Sequence, residues 1–355
     1  MKTRLRQRIY KIMRITKHIK SLKGYVHGDQ PSGRGVIKIN TNENAYPPSP
    51  KCAEALQKFC TSSLRLYPNA ESTPLRVAIA KLHNTKPECV FVGNGSDEIL
   101  SLAAKAFVED NESIGSLDPS YSLYKTLADI RGVKWKGSDE QKAVKCDPDT
   151  SLFLWTNPNA PTGTFASPEL IRSFASSFPG IVIVDEAYAD FAPANCMHLA
   201  TDPGNKNIIV MRTFSKSYSL AGLRVGYAVG PTELIAALMK IKDSYNVDAI
   251  AQTVALAAIK DQKWMQDNAR KIIETREWFS EELSNRGWSV IPSSANFVFA
   301  RPPKPIKAVD VFEYLKTRKI FVRYFSTPKT RLDIRFTIGT ADEMKKTISV
   351  IDQFK

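Results

Sequence analysis

The sequence predicts an α/β protein: a large domain on a mostly parallel sheet covered by helices, followed by a smaller α+β domain. Three observations carry this. Short β-branched runs alternate with longer helical patterns through the middle of the chain. Runs such as Ile181–Val184 are apolar at every position, as suits strands buried on both faces. After Trp288 the pattern changes, and strand-like runs flank a helical one.

In order, Cys89–Val92 reads as a strand and Ser96–Val108 as a helix. Ser113–Leu117 is a short strand stopped by Asp118-Pro119. Ser151–Trp155 is a strand running into a loop rich in Asn and Pro, and Pro168–Ser177 is a helix with Pro at its start. Ile181–Val184, Asn207–Met211 and Arg224–Val229 complete the large sheet, joined by right-handed crossovers. Pro231–Asp243 begins a long helical stretch, and Thr253–Asn285 continues helical. Asn296–Ala300, Ile320–Tyr324 and Asp333–Ile338 are the strands of the small domain, around a helix at Val309–Thr317. The expected organisation is a basic extension over 1–20, an arm over 21–45, the large domain over 46–255 and the small one over 256–355.

The 355 residues suffice for two such cores. No apolar run approaches the roughly 18 residues that span a bilayer, so no membrane partner is expected. Five scattered cysteines, odd in number and never as Cys-x-x-Cys, argue against a disulfide framework or a zinc site. A cytoplasmic protein without a bound metal is the expectation. The net charge of +14 invites a nucleic-acid reading. Eight of those charges, however, are Lys2, Arg4, Arg6, Arg8, Lys11, Arg14, Lys17 and Lys20, in a segment without an acid. The excess is local, and no nucleic-acid partner is expected. The segment itself reads as a solvated extension, as an amphipathic helix through Leu5, Ile9, Ile12 and Ile15, or as a targeting peptide.

In an open α/β sheet ligands sit at the carboxyl ends of strands, so the residues that follow each strand carry the chemistry. Gly93-Asn94-Gly95-Ser96-Asp97-Glu98 is a tight turn opening a helix, which serves as a phosphate cradle or as an ordinary N-cap. Tyr121 follows the next strand, as a ring to cover a flat ligand or as a core tyrosine. Asn157-Pro158-Asn159-Ala160-Pro161-Thr162-Gly163 is a stiff polar loop or a plain turn. Asp185 ends a buried strand, where an unpaired carboxylate is costly. It suits a protonated ring nitrogen, a metal or a helix cap. Lys216, beside Ser215 and ahead of Arg224, suits a covalent bond to an aldehyde or a phosphate contact. Each is ambiguous alone. Together they supply what pyridoxal 5'-phosphate requires: an anion cradle, a stacking ring, an acid for the pyridine nitrogen and a lysine for the aldehyde. No Gly-x-x-x-x-Gly-Lys-Ser/Thr and no Gly-x-Gly-x-x-Gly after a strand is present, which excludes the common nucleotide loops.

These motifs are Asn42-Glu43-Asn44, Tyr67-Pro68, Gly95-Ser96-Asp97-Glu98, Pro119-Ser120-Tyr121, Asn159-Ala160-Pro161-Thr162-Gly163, Asp185-Glu186-Ala187-Tyr188, Ser215-Lys216, Gly222-Leu223-Arg224 and Arg335-Phe336-Thr337. In this order, over roughly residues 20 to 350, the sequence resembles the class I/II aminotransferases. It looks most like their branch acting on histidinol phosphate. The resemblance implies fold type I, pyridoxal phosphate, and a homodimer with shared sites. It implies that Lys216 joins the cofactor covalently, Asp185 keeps its ring nitrogen protonated, Tyr188 bonds its phenolic oxygen and Tyr121 stacks on its ring. Ser96, Asp97, Ser215 and Arg224 would grip the phosphate, with Tyr67 from a second subunit. Arg335, supported by Arg323 and Tyr25, would bind the anionic end of the substrate. In one respect the chain departs from the pattern: Ala160 stands where many relatives have an asparagine that bonds the ring oxygen, so that bond falls to Asn159 or Tyr188, or is weaker.

The implied reaction is amino transfer from L-histidinol phosphate to 2-oxoglutarate, a step of histidine biosynthesis. Aromatic amino-acid transfer and threonine-phosphate decarboxylation share the same cofactor residues and are the alternatives. A cofactor-sensing transcription regulator is the non-enzyme alternative, but twenty basic residues are too few for a helix-turn-helix domain.

Overall fold

The computed structural model describes residues 15–22, 28–139, 144 and 146–354. Its centre is a seven-stranded sheet. The strands are β2 (Val90–Gly93), β3 (Ser113–Leu117), β4 (Lys134–Ser138), β5 (Thr150–Thr156), β6 (Ile181–Asp185), β7 (Ile208–Thr213) and β8 (Gly226–Val229), with β1 (Ile37–Lys38) lying outside it. The order across the sheet is β2-β8-β7-β6-β5-β3-β4. Only β8 runs antiparallel to its neighbours. It follows β7 through a loop with no crossover helix, and a chain that turns straight back can only pair antiparallel.

Strand alternation divides the core. Phe153, Trp155, Val182, Val184, Ile208 and Val210 pack on one face, under helices Pro50–Lys58, Thr73–Leu82, Pro168–Ser177 and Ala249–Ile259. Leu152, Leu154, Ile183, Ile209 and Met211 pack on the other, under Ser96–Ala106, Leu123–Arg131 and Thr232–Ile241. Because both faces are covered, the strand sequences are apolar throughout, and each such side chain contributes about 1.5–3 kcal/mol.

A second core forms around β9 (Ser289–Ile291), β10 (Phe297–Arg301), β12 (Arg323–Tyr324) and β13 (Ile334–Thr337), in the antiparallel order β12-β13-β10-β9. Helices Gln262–Asn285, Ala308–Thr317 and Ala341–Ile351 cover it. The arm joins this unit, since β1 pairs in parallel with β11 (Ile320–Phe321).

Two expectations are corrected. The helix expected over Thr253–Asn285 is broken at Lys260 and Asp261. Asp261 leaves helical geometry (φ −116°, ψ 61°), and its carboxylate accepts from Ser49 Oγ at 2.5 Å and pairs with Lys51 at 3.3 Å. The strand expected over Ile320–Tyr324 is two short ones, because the chain passes at Val322 from pairing with the arm to pairing with β13. The edge strand Lys134–Ser138 was not expected: two lysines, a glycine and half-exposed positions disguise it. No helix among the described residues is long and apolar enough to cross a membrane.

Candidate active site

The carboxyl ends of β2, β3, β5, β6 and β7 share one edge of the large sheet, and the reversed β8 starts there too. The turn after β2 opens helix Ser96–Ala106, with Gly95 at φ +78°. A Cβ on Gly95 would stand 2.8 Å from Arg224 Nη2, and one on Gly226 would stand 2.6 Å from the Ser96 nitrogen. Both glycines are therefore needed for the helix start and Arg224 to meet. Arg224 donates to Ser215 Oγ at 3.3 Å and to Asp97 Oδ2 at 3.3 Å, and Thr213 Oγ1 donates to Ser215 Oγ at 2.9 Å. A helix N-terminus, two hydroxyls and a guanidinium make an anion site.

Asp185, at the end of β6, is buried at 4% exposure. Tyr124 Oη donates to its Oδ2 at 2.8 Å and the Ala187 N–H to its Oδ1 at 3.1 Å. Burial outweighs these bonds and pushes the carboxyl up to about 6. A carboxylate so placed on a cavity wall gains most from a cation. Lys216, in the loop after β7, donates to the Thr41 carbonyl at 3.2 Å. Burial, then the nearby Arg335 charge, lowers its ammonium to about 8. Asn44 holds the lysine's backbone by donating to its carbonyl at 2.9 Å.

Beneath this loop, Arg212 pairs with Glu186 at 2.9 Å and with Asp190 at 2.9 Å, and Ser217 bonds Asp190. This buried network ties the segment carrying Lys216 to the segment carrying Asp185. Tyr121 packs edge-on to Tyr124, centroids 5.6 Å apart, and its hydroxyl reaches Asp97 Oδ1 at 3.5 Å. On the far wall Tyr188 Oη accepts from Asn42 Nδ2 at 2.9 Å. Arg323 and Arg335 are paired across β12 and β13. Arg335 donates to the Asn40 carbonyl at 2.9 Å, and both guanidinium groups lie over Phe325, at 5.2 and 5.3 Å.

One cavity of about 280 Å³ brings together Ser96, Asp97, Tyr121, Asp185, Tyr188, Ser215, Lys216, Arg224, Arg323 and Arg335. Two expected residues do not line it. Asn159 is buried and turned away: its amide donates to the Pro119 carbonyl at 2.9 Å and to Thr162 Oγ1 at 3.1 Å. It fixes two loops, and only its neighbour Ala160 faces the cavity. Tyr67 is 80% exposed on the surface, stacked on Tyr245 with centroids 4.3 Å apart. Tyr25 lies outside the described residues.

Sequence reasoning missed Tyr124, which supports Asp185 from a helix whose pattern reads as plain core. It also gave no role to Asn42 or Asn44, although their motif stood out. Among the described residues no cluster of three or more His, Cys, Asp or Glu could hold a metal. The anion cradle, the raised acid and the lysine with a lowered pKa, set in a row, fit pyridoxal phosphate.

Comparison with known proteins agrees with this geometry. The family model for aminotransferase class I and II matches residues 34–351. The chain is 46% identical over 343 residues to a histidinol-phosphate aminotransferase of Geotalea uraniireducens, covering 95% of this chain and 98% of that one. It is 46% identical over 341 residues to that of Syntrophotalea carbinolica, covering 94% and 97%. Among solved structures, the histidinol-phosphate aminotransferase of Sinorhizobium meliloti in complex with pyridoxal-5'-phosphate superposes with a TM-score of 0.86 at 24% identity, covering 96% of this chain and 98% of that one. The L-threonine-O-3-phosphate decarboxylase of Porphyromonas gingivalis superposes at 0.81 and 20%, covering 90% and 99%. Those two likenesses establish the fold, fold type I. The family match and the identities over nearly the whole length carry the conclusion: this chain belongs to the class I and II aminotransferases.

Proposed function

We propose that the chain transfers an amino group from L-histidinol phosphate to 2-oxoglutarate, using pyridoxal 5'-phosphate. The observation that carries the substrate reading is the pair Arg323 and Arg335, directly opposite on β12 and β13 and in the same cavity as Lys216. One pocket must hold a phosphate monoester in one half-reaction and a carboxylate in the other. Two guanidinium forks suit both anions. The names of relatives at 46% identity support the same substrate.

When bound, the cofactor supplies an electron-accepting ring and an aldehyde that links to amines. The protein's part follows from its own groups. The Ser96 and Asp97 backbone, Ser215 and Arg224 hold the phosphate. Asp185 keeps the ring nitrogen protonated, Tyr121 covers the ring face and Tyr188 bonds the phenolic oxygen. Lys216 would serve as the base and acid that moves a proton to and from the substrate, in each direction in turn. With a pKa near 8, about a tenth of its amine is neutral at pH 7, far more than for an ordinary lysine.

The test is a half-reaction screen followed by steady-state rates. Histidinol phosphate should convert the cofactor's absorbance faster than tyrosine or phenylalanine does. Arg323→Ala should lower kcat/KM for histidinol phosphate about 10- to 100-fold, the worth of a charge-assisted contact, and that for glutamate several times less. A tenfold preference for an aromatic donor, or decarboxylation of threonine phosphate, would overturn the substrate and leave the cofactor standing.

The working unit we propose is a homodimer in the cytoplasm, with Tyr67 reaching the partner's phosphate site. Exposed Leu64, Leu66, Tyr67 and Tyr245 support a surface that a second copy covers, and five free cysteines suit a reducing compartment. Mixing the nearly inactive Tyr67→Ala and Lys216→Ala variants should restore up to about a quarter of wild-type activity. Half the dimers are then hybrids, each with one intact site of two. No recovery after proven subunit exchange would rule out sharing.

A further inference from the structure

We infer that Asn42 is a positioning residue for the cofactor, one that turns the Tyr188 hydroxyl into a hydrogen-bond donor toward the cofactor's phenolic oxygen. The inference rests on the pyridoxal phosphate reading above and adds a part that none of the residues in that reading supplies.

Asn42 stands in a closed chain of hydrogen bonds. The Asn42 N–H donates to Thr337 Oγ1 at 3.0 Å, and the Thr337 hydroxyl donates to Asn42 Oδ1 at 2.9 Å. Asn42 Nδ2 then donates to Tyr188 Oη at 2.9 Å. Asn296 Nδ2 holds the Asn42 carbonyl at 3.1 Å. Asn42, Thr337 and Asn296 are each no more than 2% exposed, so water does not compete.

These bonds fix the direction of the amide. Since Thr337 Oγ1 already accepts from a backbone N–H, its proton goes to the Asn42 oxygen. If the amide were flipped, two donors would meet at one hydroxyl and that hydroxyl would lose its acceptor, a costly arrangement in a buried place. The amide nitrogen therefore faces Tyr188, and Tyr188 Oη must accept there. Its own proton points away from Asn42.

Sheet order says where that matters. The anion cradle comes from the turns at β2, β7 and β8, all on one side of β6, which carries Asp185. Ala160 follows β5, on the other side of β6, and Tyr188 follows β6 itself. In pyridoxal phosphate the hydroxyl and the phosphate arm flank the aldehyde on opposite sides. With the ring nitrogen at Asp185 and the aldehyde at Lys216, the phenolic oxygen faces the wall of Tyr188, Ala160 and Ala187. The two alanines have no side-chain donor, and the Asn159 amide is bonded to Pro119 and Thr162. Tyr188 is the donor, and Asn42 makes it one. The left-handed backbone of Asn42, φ 55°, aims the amide inward at a conformation asparagine tolerates.

The experiment is a pH titration of the holoenzyme's visible absorbance, which follows the proton on the nitrogen linking lysine to cofactor. A donor to the phenolic oxygen stabilises its negative charge, most of all once that proton has left. Loss of the donor therefore raises the pKa. Asn42→Gly, which keeps the left-handed backbone, the near-isosteric Thr337→Val and Tyr188→Phe should each raise it by about one unit. The double variant Asn42→Gly/Tyr188→Phe should match Tyr188→Phe to within about 0.2 unit, because both changes remove one bond. Should Asn42→Gly fold poorly, Thr337→Val carries the same test. Unchanged titration in the single variants, or a full extra shift on top of Tyr188→Phe, would overturn the role of Asn42. A wild-type protein with no titrating visible band would instead overturn the cofactor reading itself.

Discussion

Lys216→Ala is expected to remain folded, to bind pyridoxal phosphate without a covalent link, and to lose turnover by about a thousandfold or more. The size follows from two losses: the amine that moves the proton and the amine that holds the aldehyde reactive. Folding survives because Asn44 holds the Lys216 backbone through its carbonyl, and the Arg212–Glu186–Asp190 network holds the loop from beneath. Neither uses the lysine side chain. Wild-type apoprotein offers a companion measurement. Only the neutral amine attacks an aldehyde, so covalent capture of pyridoxal phosphate should speed up with pH and level off near 8, where burial has brought the ammonium. A rate still climbing past pH 10, or normal turnover in Lys216→Ala, would remove the lysine from its role.

Asp185→Asn is expected to change rate and stability in opposite directions. Without a carboxylate the ring nitrogen loses its proton, and the amino-transfer rate should drop by about a thousandfold, roughly 4 kcal/mol in the barrier. The apoprotein should become more stable near pH 7. Asp185 has a pKa near 6 when folded against an ordinary 3.8, so its contribution to stability is intact below pH 3.8 and is lost as pH rises through 6. Above pH 6 the ionised group costs about 3 kcal/mol, at 1.36 kcal/mol per unit. Asparagine escapes this cost. The unfolding midpoints of the two apoproteins should therefore lie close at pH 4 and separate by pH 7, with the variant higher. With cofactor present the order should reverse, since wild type gains the ion pair. An apo variant less stable than wild type at pH 7 would mean that another cation already neutralises Asp185.

The large sheet was legible because its strands are buried on both faces, and Ile181–Asp185 and Thr150–Thr156 carry apolar residues whichever way they point. The half-exposed Lys134–Ser138 at the edge escapes the same reasoning. Helix ends stood out where a residue marks them, as at Ser167-Pro168, and stayed hidden at Asp261, whose partners Ser49 and Lys51 are distant in sequence. The site divides likewise. Asp185, Lys216 and Ser96 each follow a recognisable strand, so position alone suggested chemistry. Tyr124 sits within an amphipathic helix and differs from a core residue by the bonds of its hydroxyl to Asp185 and Thr156. Asn42 is meaningful through partners 146 and 295 positions away, and periodicity holds no trace of pairs so separated. Asn159 and Ala160 are neighbours in one loop, yet only the fold decides which of them faces the cavity.

The arm has a consequence for how the protein is made. Ile37 and Lys38 pair with Ile320 and Phe321, and Asn42 is held by Thr337. A ribosome delivers the early partners first, and the large sheet, which is complete by Val229, can form while the rest is still being synthesised. The segment bearing Asn42 and Asn44 bonds Tyr188, Lys216 and Ser217 in the large domain, but it lacks its strand pairing and the Thr337 anchor until β11 and β13 emerge. The wall behind Tyr188 is therefore fully anchored only when translation has passed residue 337. A chain cut short before that point keeps most of its sheet but lacks the finished pocket, so production of active enzyme is gated by synthesis of its last strand.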